Sequence, residues 1–154
     1  IIPRHIHRTQ DIISEMENIG LKVYCHSSNL KSLSNVDIYI VDTYGETKKF
    51  HKIGSTVFLG GSIIKRGGQN PLEAARFGAK ILHGPNVNNF TEIYKLLKSY
   101  NVSKRVNLPN ELASSIVFKK NKSTGNRIKK IGENILKKTI KDLDKIINNE
   151  FKKA

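Results

Sequence analysis

The sequence holds a single cysteine, Cys25, so the chain cannot close a disulfide on itself, and the thiol fits a reducing compartment. No apolar run approaches the roughly 20 residues needed to span a bilayer, and the start lacks a signal-peptide pattern. A soluble piece is expected. Internal repeats and low-complexity linkers are absent as well. There is no P-loop, no nucleophile elbow, no zinc spacing and no complete G-x-G-x-x-G, which excludes the commonest signatures for phosphate hydrolysis, acyl transfer and dinucleotide binding. His5 and His7 stand without the further ligands that a metal set needs, so neither a metal nor another cofactor is expected. The chain opens on Ile1-Ile2-Pro3 with no Met, which suggests a piece of a longer polypeptide.

Acidic residues are scarce. Thirteen carboxylates face 27 lysines and arginines, for a net charge of +14 over 154 residues. From Lys119 to Ala154 there are 12 basic and 4 acidic side chains, a net of +8 that leaves +6 for the first 118 residues. Such a tail suits anionic lipid headgroups or nucleic acid, or is a solvated lysine-rich helix face. The tail lysines lack aromatic interleaving, with Phe151 the one aromatic residue from Lys119 onward, which counts against a single-strand nucleic-acid binder.

With 38% hydrophobic residues, the length suits one globular domain with its own core. Ile1-Ile2-Pro3 reads as the end of a strand, with Arg4 on the loop after it. A helix over 8–19 follows, with Ile12, Ile13, Met16 and Ile19 on one face and Gly20 as its stop. Then come a strand over 21–25, a polar loop over 26–36, a strand over 37–41 and a helix from about Asp42 through His51. The alternation continues with a strand at 55–59, a glycine loop, a helix at 71–77, a strand at 80–83, a helix at 90–98 and a strand at 102–106. A helix starts at Pro109, where proline suits the first turn. After Ser123-Thr124-Gly125, a long basic helix carries Ile128, Ile131, Ile135, Leu143, Ile147 and Phe151 at three- and four-residue steps. Strands alternating with helices predict an α/β, Rossmann-like, doubly wound parallel sheet over 1–122, followed by a basic amphipathic helix over 123–154. Ligands of such sheets bind beyond the carboxyl ends of the strands. Arg4, Tyr44 to Glu46 and Gly60 to Glu73 all follow predicted strands and are expected on one rim.

The stretch Gly60-Gly61-Ser62 through Gly67-Gly68-Gln69-Asn70-Pro71-Leu72-Glu73 holds the densest candidate chemistry. Its glycine pairs flank Lys65 and Arg66, and a helix start offers N–H groups to an anion. Asn70, Pro71 and Glu73 also have the form of a cap, first-turn proline and capping-box carboxylate. A rim carboxylate can equally accept hydrogen bonds from ribose hydroxyls. Arg4 suits a phosphate or carboxylate, or a surface ion pair. Asp42 and Glu46 flank a helix start and are unconvincing as an acid–base pair.

Pro3-Arg4-His5, Asp42-Thr43-Tyr44-Gly45-Glu46, Phe58-Leu59-Gly60-Gly61-Ser62, Gly67 through Ala75, Gly84-Pro85 and Asn89-Phe90 together resemble the C-terminal half of bacterial Kdo transferases. These are GT-B glycosyltransferases that add 3-deoxy-D-manno-octulosonic acid (Kdo) during lipopolysaccharide synthesis. The resemblance implies a domain that binds the donor CMP-Kdo through Pro3, Arg4, Tyr44, Gly45, Glu46, Asn70, Pro71, Leu72 and Glu73. Gly60, Gly61, Ser62, Gly67, Gly68 and Gln69 would form a phosphate or sugar loop. Tyr44 stands where the family commonly has Met, and Gln69 where it usually has His; an amide cannot titrate as imidazole does.

The resemblance further implies transfer with inversion to a lipid A precursor, at the cytoplasmic face of the inner membrane of Gram-negative bacteria. The proposed base is a Glu of an N-terminal acceptor domain that this chain lacks, so no catalytic residue is expected here and the piece alone is expected to be inactive. The first strands of the donor domain are also expected to be missing. The rival readings are a GT-B transferase that uses a UDP-sugar, a basic nucleic-acid-binding module, and an assembly domain that docks through the Ile128–Phe151 stripe.

Overall fold

The structure is a computed structural model that describes residues 1–28 and 34–151, the last two by backbone alone. The polar loop expected over 26–36 therefore lies partly outside the described residues, as does the Phe151 side chain of the expected stripe. The chain forms two compact units, Ile1–Phe50 and His51–Ala154.

In the first unit, α1 (Thr9–Asn18) ends where the sequence places a stop. Gly20 takes φ +82° and donates its N–H to Glu17 O at 2.9 Å, which closes the last turn. Ile19 lies past the helix end and is strongly exposed, so it does not share the face of Ile12, Ile13 and Met16. Strands β1 (Val23–Cys25) and β2 (Ile38–Ile40) pair in parallel, with Cys25 opposite Ile40. Ile1 joins the free edge of β2: its amino group donates to Tyr39 O at 2.6 Å, and the Val41 N–H donates to Ile1 O at 2.9 Å. Ile1 thus runs parallel to β2, and Arg4 emerges at the same end of the strands as Asp42. Ile40 and Val41 are buried, and the Tyr39 ring lies 6.0 Å from Phe50 and 5.8 Å from His26. Helix α2 (Thr47–Ile53) begins only after a turn at 43–45, later than the sequence suggests.

In the second unit, β3 (Thr56–Leu59), β4 (Lys80–His83) and β5 (Ser103–Arg105) form a parallel sheet in that order, with Leu59, His83 and Arg105 in register at one end. Helices α3 (Leu72–Arg76) and α4 (Thr91–Ser99) provide the crossovers. Ala74, Ala75, Ile81, Tyr94, Leu97, Val102 and Ile128 form one core. The central strand β4 contributes Ile81 and Leu82, fully buried as a two-sided parallel strand requires. Helix α5 (Pro109–Ser114) starts on its proline.

Helix α6 (Lys122–Phe151) begins one residue before the expected bound of 123, and Ser123, Thr124 and Gly125 lie inside its first turns, ahead of the apolar stripe. Two local causes account for this. Asn121 Oδ1 accepts the Thr124 N–H at 3.0 Å, a helix cap that the sequence reading overlooked. Gly125 brings the helix against Gly78 so closely that a Cβ there would sit 2.7 Å from the Gly78 nitrogen. This glycine serves close packing inside the helix. Beyond Ile131, the apolar residues of α6 from Ile135 to Ile147 are exposed.

Candidate functional site

In the first unit, the segment after β2 is organised by Asp42. Its carboxylate accepts the Ser27 N–H at 2.9 Å and the Ser27 hydroxyl at 2.5 Å. Burial pushes the Asp42 carboxyl upward, but the hydrogen bonds from Ser27 outweigh it and hold the group below the usual carboxylate range. Asp42 thus fixes the turn and leaves the next residues free. Tyr44 projects into solvent, and Gly45 takes φ +84°. Glu46 turns back and is half-buried: Lys49 Nζ donates to its Oε1 at 3.0 Å and lies 2.8 Å from Oε2. That second oxygen, although within ion-pair reach, accepts no well-formed hydrogen bond, and the buried Thr43 Oγ1 also lacks a partner. Glu46 Oε2 is held by the Lys49 ammonium, and Thr43 Oγ1 is the buried polar atom left without a described partner beside this exposed turn. Pro3 and Arg4 lie at the same strand ends, and no ion pair ties the Arg4 guanidinium among the described residues.

In the second unit, the turn over Gly60 to Arg66 follows β3, and residues 67–70 lead into α3. Ser62 is 0% exposed, and its hydroxyl donates to Leu59 O at 2.6 Å while accepting the Gly84 N–H at 2.9 Å. Its hydroxyl is committed to the fold, so a direct ligand contact through it is not what the geometry offers. The Gly68 N–H is also used internally, on Gly61 O at 3.2 Å, and Gly67 O accepts the Asn89 N–H at 3.2 Å. Gly67 and Gly68 both have positive φ, and side chains there would collide with Asn89 and press on Asn86 and Val87. These glycines seat the loop after β4 against the loop after β3. Lys65 and Arg66 remain exposed, with no ion pair among the described residues.

The helix start is half of the expected box. Asn70 Oδ1 accepts the Leu72 N–H at 3.0 Å, and Pro71 is buried with helical angles, φ −85° and ψ −10°. Glu73, on the exposed side of the first turn, makes no described return bond to the Asn70 N–H. A carboxylate at a helix start, free of its capping duty, is open to ligand hydroxyls. Sequence reasoning gave no role to two residues that bind this loop and a third that packs on one of them: Asn86, whose Nδ2 donates to Ile63 O at 2.8 Å; Tyr94, whose hydroxyl donates to Gln69 O at 3.1 Å; and His83, whose ring lies against Tyr94 at a tilt of 52° with centroids 4.3 Å apart. The only signal for the first was its place after Gly84-Pro85, and the other two read as ordinary strand and helix positions.

Over 148 residues, 96% of its length, the chain is 32% identical to the 3-deoxy-D-manno-octulosonic acid transferase of Rickettsia prowazekii. The chain is a relative of the Kdo transferases. It spans about one third of that Kdo transferase, 32% of its length. It is 33% identical over 103 residues to a probable mitochondrial Kdo transferase of Arabidopsis thaliana, which covers 66% of this chain and 23% of the plant protein. Among solved structures it is similar to the C-terminal CMP-Kdo binding domain of WaaA from Acinetobacter baumannii, with a TM-score of 0.68 and 23% identity over 73% of this chain and 60% of that one. The fold is that of this domain, an α/β architecture with parallel sheets and a long last helix. No protein-family model matches the chain.

Proposed function

We propose that this chain is the donor-binding part of a Kdo transferase that moves Kdo from CMP-Kdo to a lipid A precursor. The observation that carries the reading is similarity to Kdo transferases over 96% of the chain. In the reaction, the bond between the Kdo anomeric carbon and the CMP phosphate breaks as an acceptor hydroxyl oxygen bonds to that carbon, and CMP leaves as a phosphate monoester. The residues proposed to contact the donor are Pro3, Arg4, Tyr44, Gly45 and Glu46 in the first unit and Asn70, Pro71, Leu72 and Glu73 in the second. Arg4 suits the phosphate, whose charge grows as the bond breaks, or the Kdo carboxylate. The unreturned carboxylate of Glu73 suits the ribose hydroxyls. No residue of this chain is assigned as the base.

The partners follow from the same reading. The acceptor is the lipid A precursor, an acceptor-binding domain completes the enzyme, and the chain alone does not catalyse transfer. Helix α6 supports contact with an anionic membrane face: Ile140, Leu143 and Ile147 are exposed beside Lys137, Lys141 and Lys145. No helix among the described residues is long and apolar enough to cross a membrane.

Calorimetric titration of the chain with CMP, with UDP as competitor, tests the reading. Saturable binding of CMP that UDP displaces only weakly is expected. Tighter binding of UDP would replace it with a UDP-sugar transferase.

A further inference from the structure

Gln69 stands just ahead of the Asn70–Glu73 helix start, in a stretch without regular secondary structure. Its neighbours are held on both sides, Gly67 and Gly68 by Asn89 and Gly61, and Asn70 by the Leu72 N–H. Between them, the Gln69 carbonyl is held by the Tyr94 hydroxyl at 3.1 Å.

Tyr94 is a core residue of α4, only 4% exposed. At such a position phenylalanine would bury as much apolar area without a hydroxyl to satisfy, so the phenol has a use where its bond is made. The ring is itself oriented. It packs 4.3 Å from the His83 ring at the end of β4, and His83 Nδ1 lies 2.7 Å from Gly84 O. A carbonyl oxygen only accepts, so Nδ1 carries the proton and the imidazole is pinned to the Gly84 carbonyl. Burial lowers the basicity of this ring, the Gly84 carbonyl partly opposes that, and nearby Arg105 reinforces it, which favours the neutral imidazole. The hydroxyl stays protonated too, because burial pushes the Tyr94 pKa to about 12. The arrangement is therefore a fixed donor at working pH.

We propose that Tyr94, oriented by His83, is a positioning residue for the donor: its hydroxyl fixes the Gln69 carbonyl and thereby the placement of the Asn70–Glu73 helix start against the nucleotide. The part concerning the nucleotide rests on the function proposed above; the part concerning the loop does not.

Tyr94→Phe keeps the ring and removes the bond. Two measurements on the full chain separate the parts. Amide exchange at residues 67–70 and 72 should quicken about three- to tenfold without ligand, while amides of β4 and α4 exchange as in the parent, which a general loss of stability would not allow. The dissociation constant for CMP should rise by about the same factor, and His83→Ala should move both readings in the same direction. Unchanged exchange at 67–70 and 72 overturns the latch, whether or not CMP binds. Quickened exchange with unaltered CMP affinity overturns its positioning role. Failure of the parent chain to bind CMP overturns instead the donor-binding function on which that role rests.

Discussion

The Gly84 N–H donates to Ser62 Oγ across 2.9 Å, tying the first residue after β4 to the turn after β3. Asn86 adds two bonds to the same turn, from its N–H to Ser62 O and from its side chain to Ile63 O, both 2.8 Å. The two loops at the carboxyl ends of these strands are one structural piece, with a buried hydroxyl at its centre.

Ser62→Ala leaves the Gly84 N–H and the Leu59 carbonyl without this partner in a site closed to water. A loss of about 1–3 kcal/mol is expected, read as a lower midpoint in urea with an unchanged slope. A change within about 0.5 kcal/mol would mean that the hydroxyl is dispensable.

Stability should fall as pH drops below the ordinary imidazole range. Burial lowers the pKa of both His51 and His83; Glu73 opposes and Lys120 reinforces this at His51, as the Gly84 carbonyl and Arg105 do at His83. The unfolded chain therefore binds these protons more readily than the folded one. The stabilisation is complete above about pH 6.5 and is lost as pH falls from there toward the lowered folded values. Urea midpoints at pH 7.5 and 5.5 should show the decline, and His83→Gln should reduce its slope. An identical slope in that variant would count against a buried neutral imidazole.

Helix α6 should divide sharply in energetic terms. Ile128 is 2% exposed and packs in the core, so Ile128→Ala should cost about 2–5 kcal/mol. Leu143 is 53% exposed, and Leu143→Ala should change stability by no more than about 0.5 kcal/mol. Equal losses would show that the outer stripe is covered in solution.

What the sequence made legible is what depends on neighbours in the chain. Gly20 stops α1 because a positive φ closes a helix, and Pro109 opens α5 because its missing N–H costs nothing there. The stretch Lys80-Ile81-Leu82-His83, with its apolar centre, became the central strand β4. Contacts between distant residues stayed hidden. The Tyr94 hydroxyl meets Gln69 from another element, and Ser62 joins two loops, so neither has a periodic or spacing signal. Gly125 has its role for a related reason: the lack of a side chain admits the backbone of Gly78, a contact between distant residues. In the candidate site, Asn70 capped its helix as its spacing implied, whereas the missing return bond from Glu73 could be seen only in three dimensions.

The most direct measurement is calorimetric titration of CMP into the chain and into its Arg4→Ala and Glu73→Ala variants. Arg4 makes no ion pair among the described residues and Glu73 is exposed, so both substitutions should spare the fold. The parent should bind CMP saturably, and each variant should bind it about tenfold or more weakly, the loss expected for one charge-assisted hydrogen bond. Equal affinity in all three, or no binding by the parent, would contradict the assignment of Arg4 and Glu73 to a cytidine nucleotide.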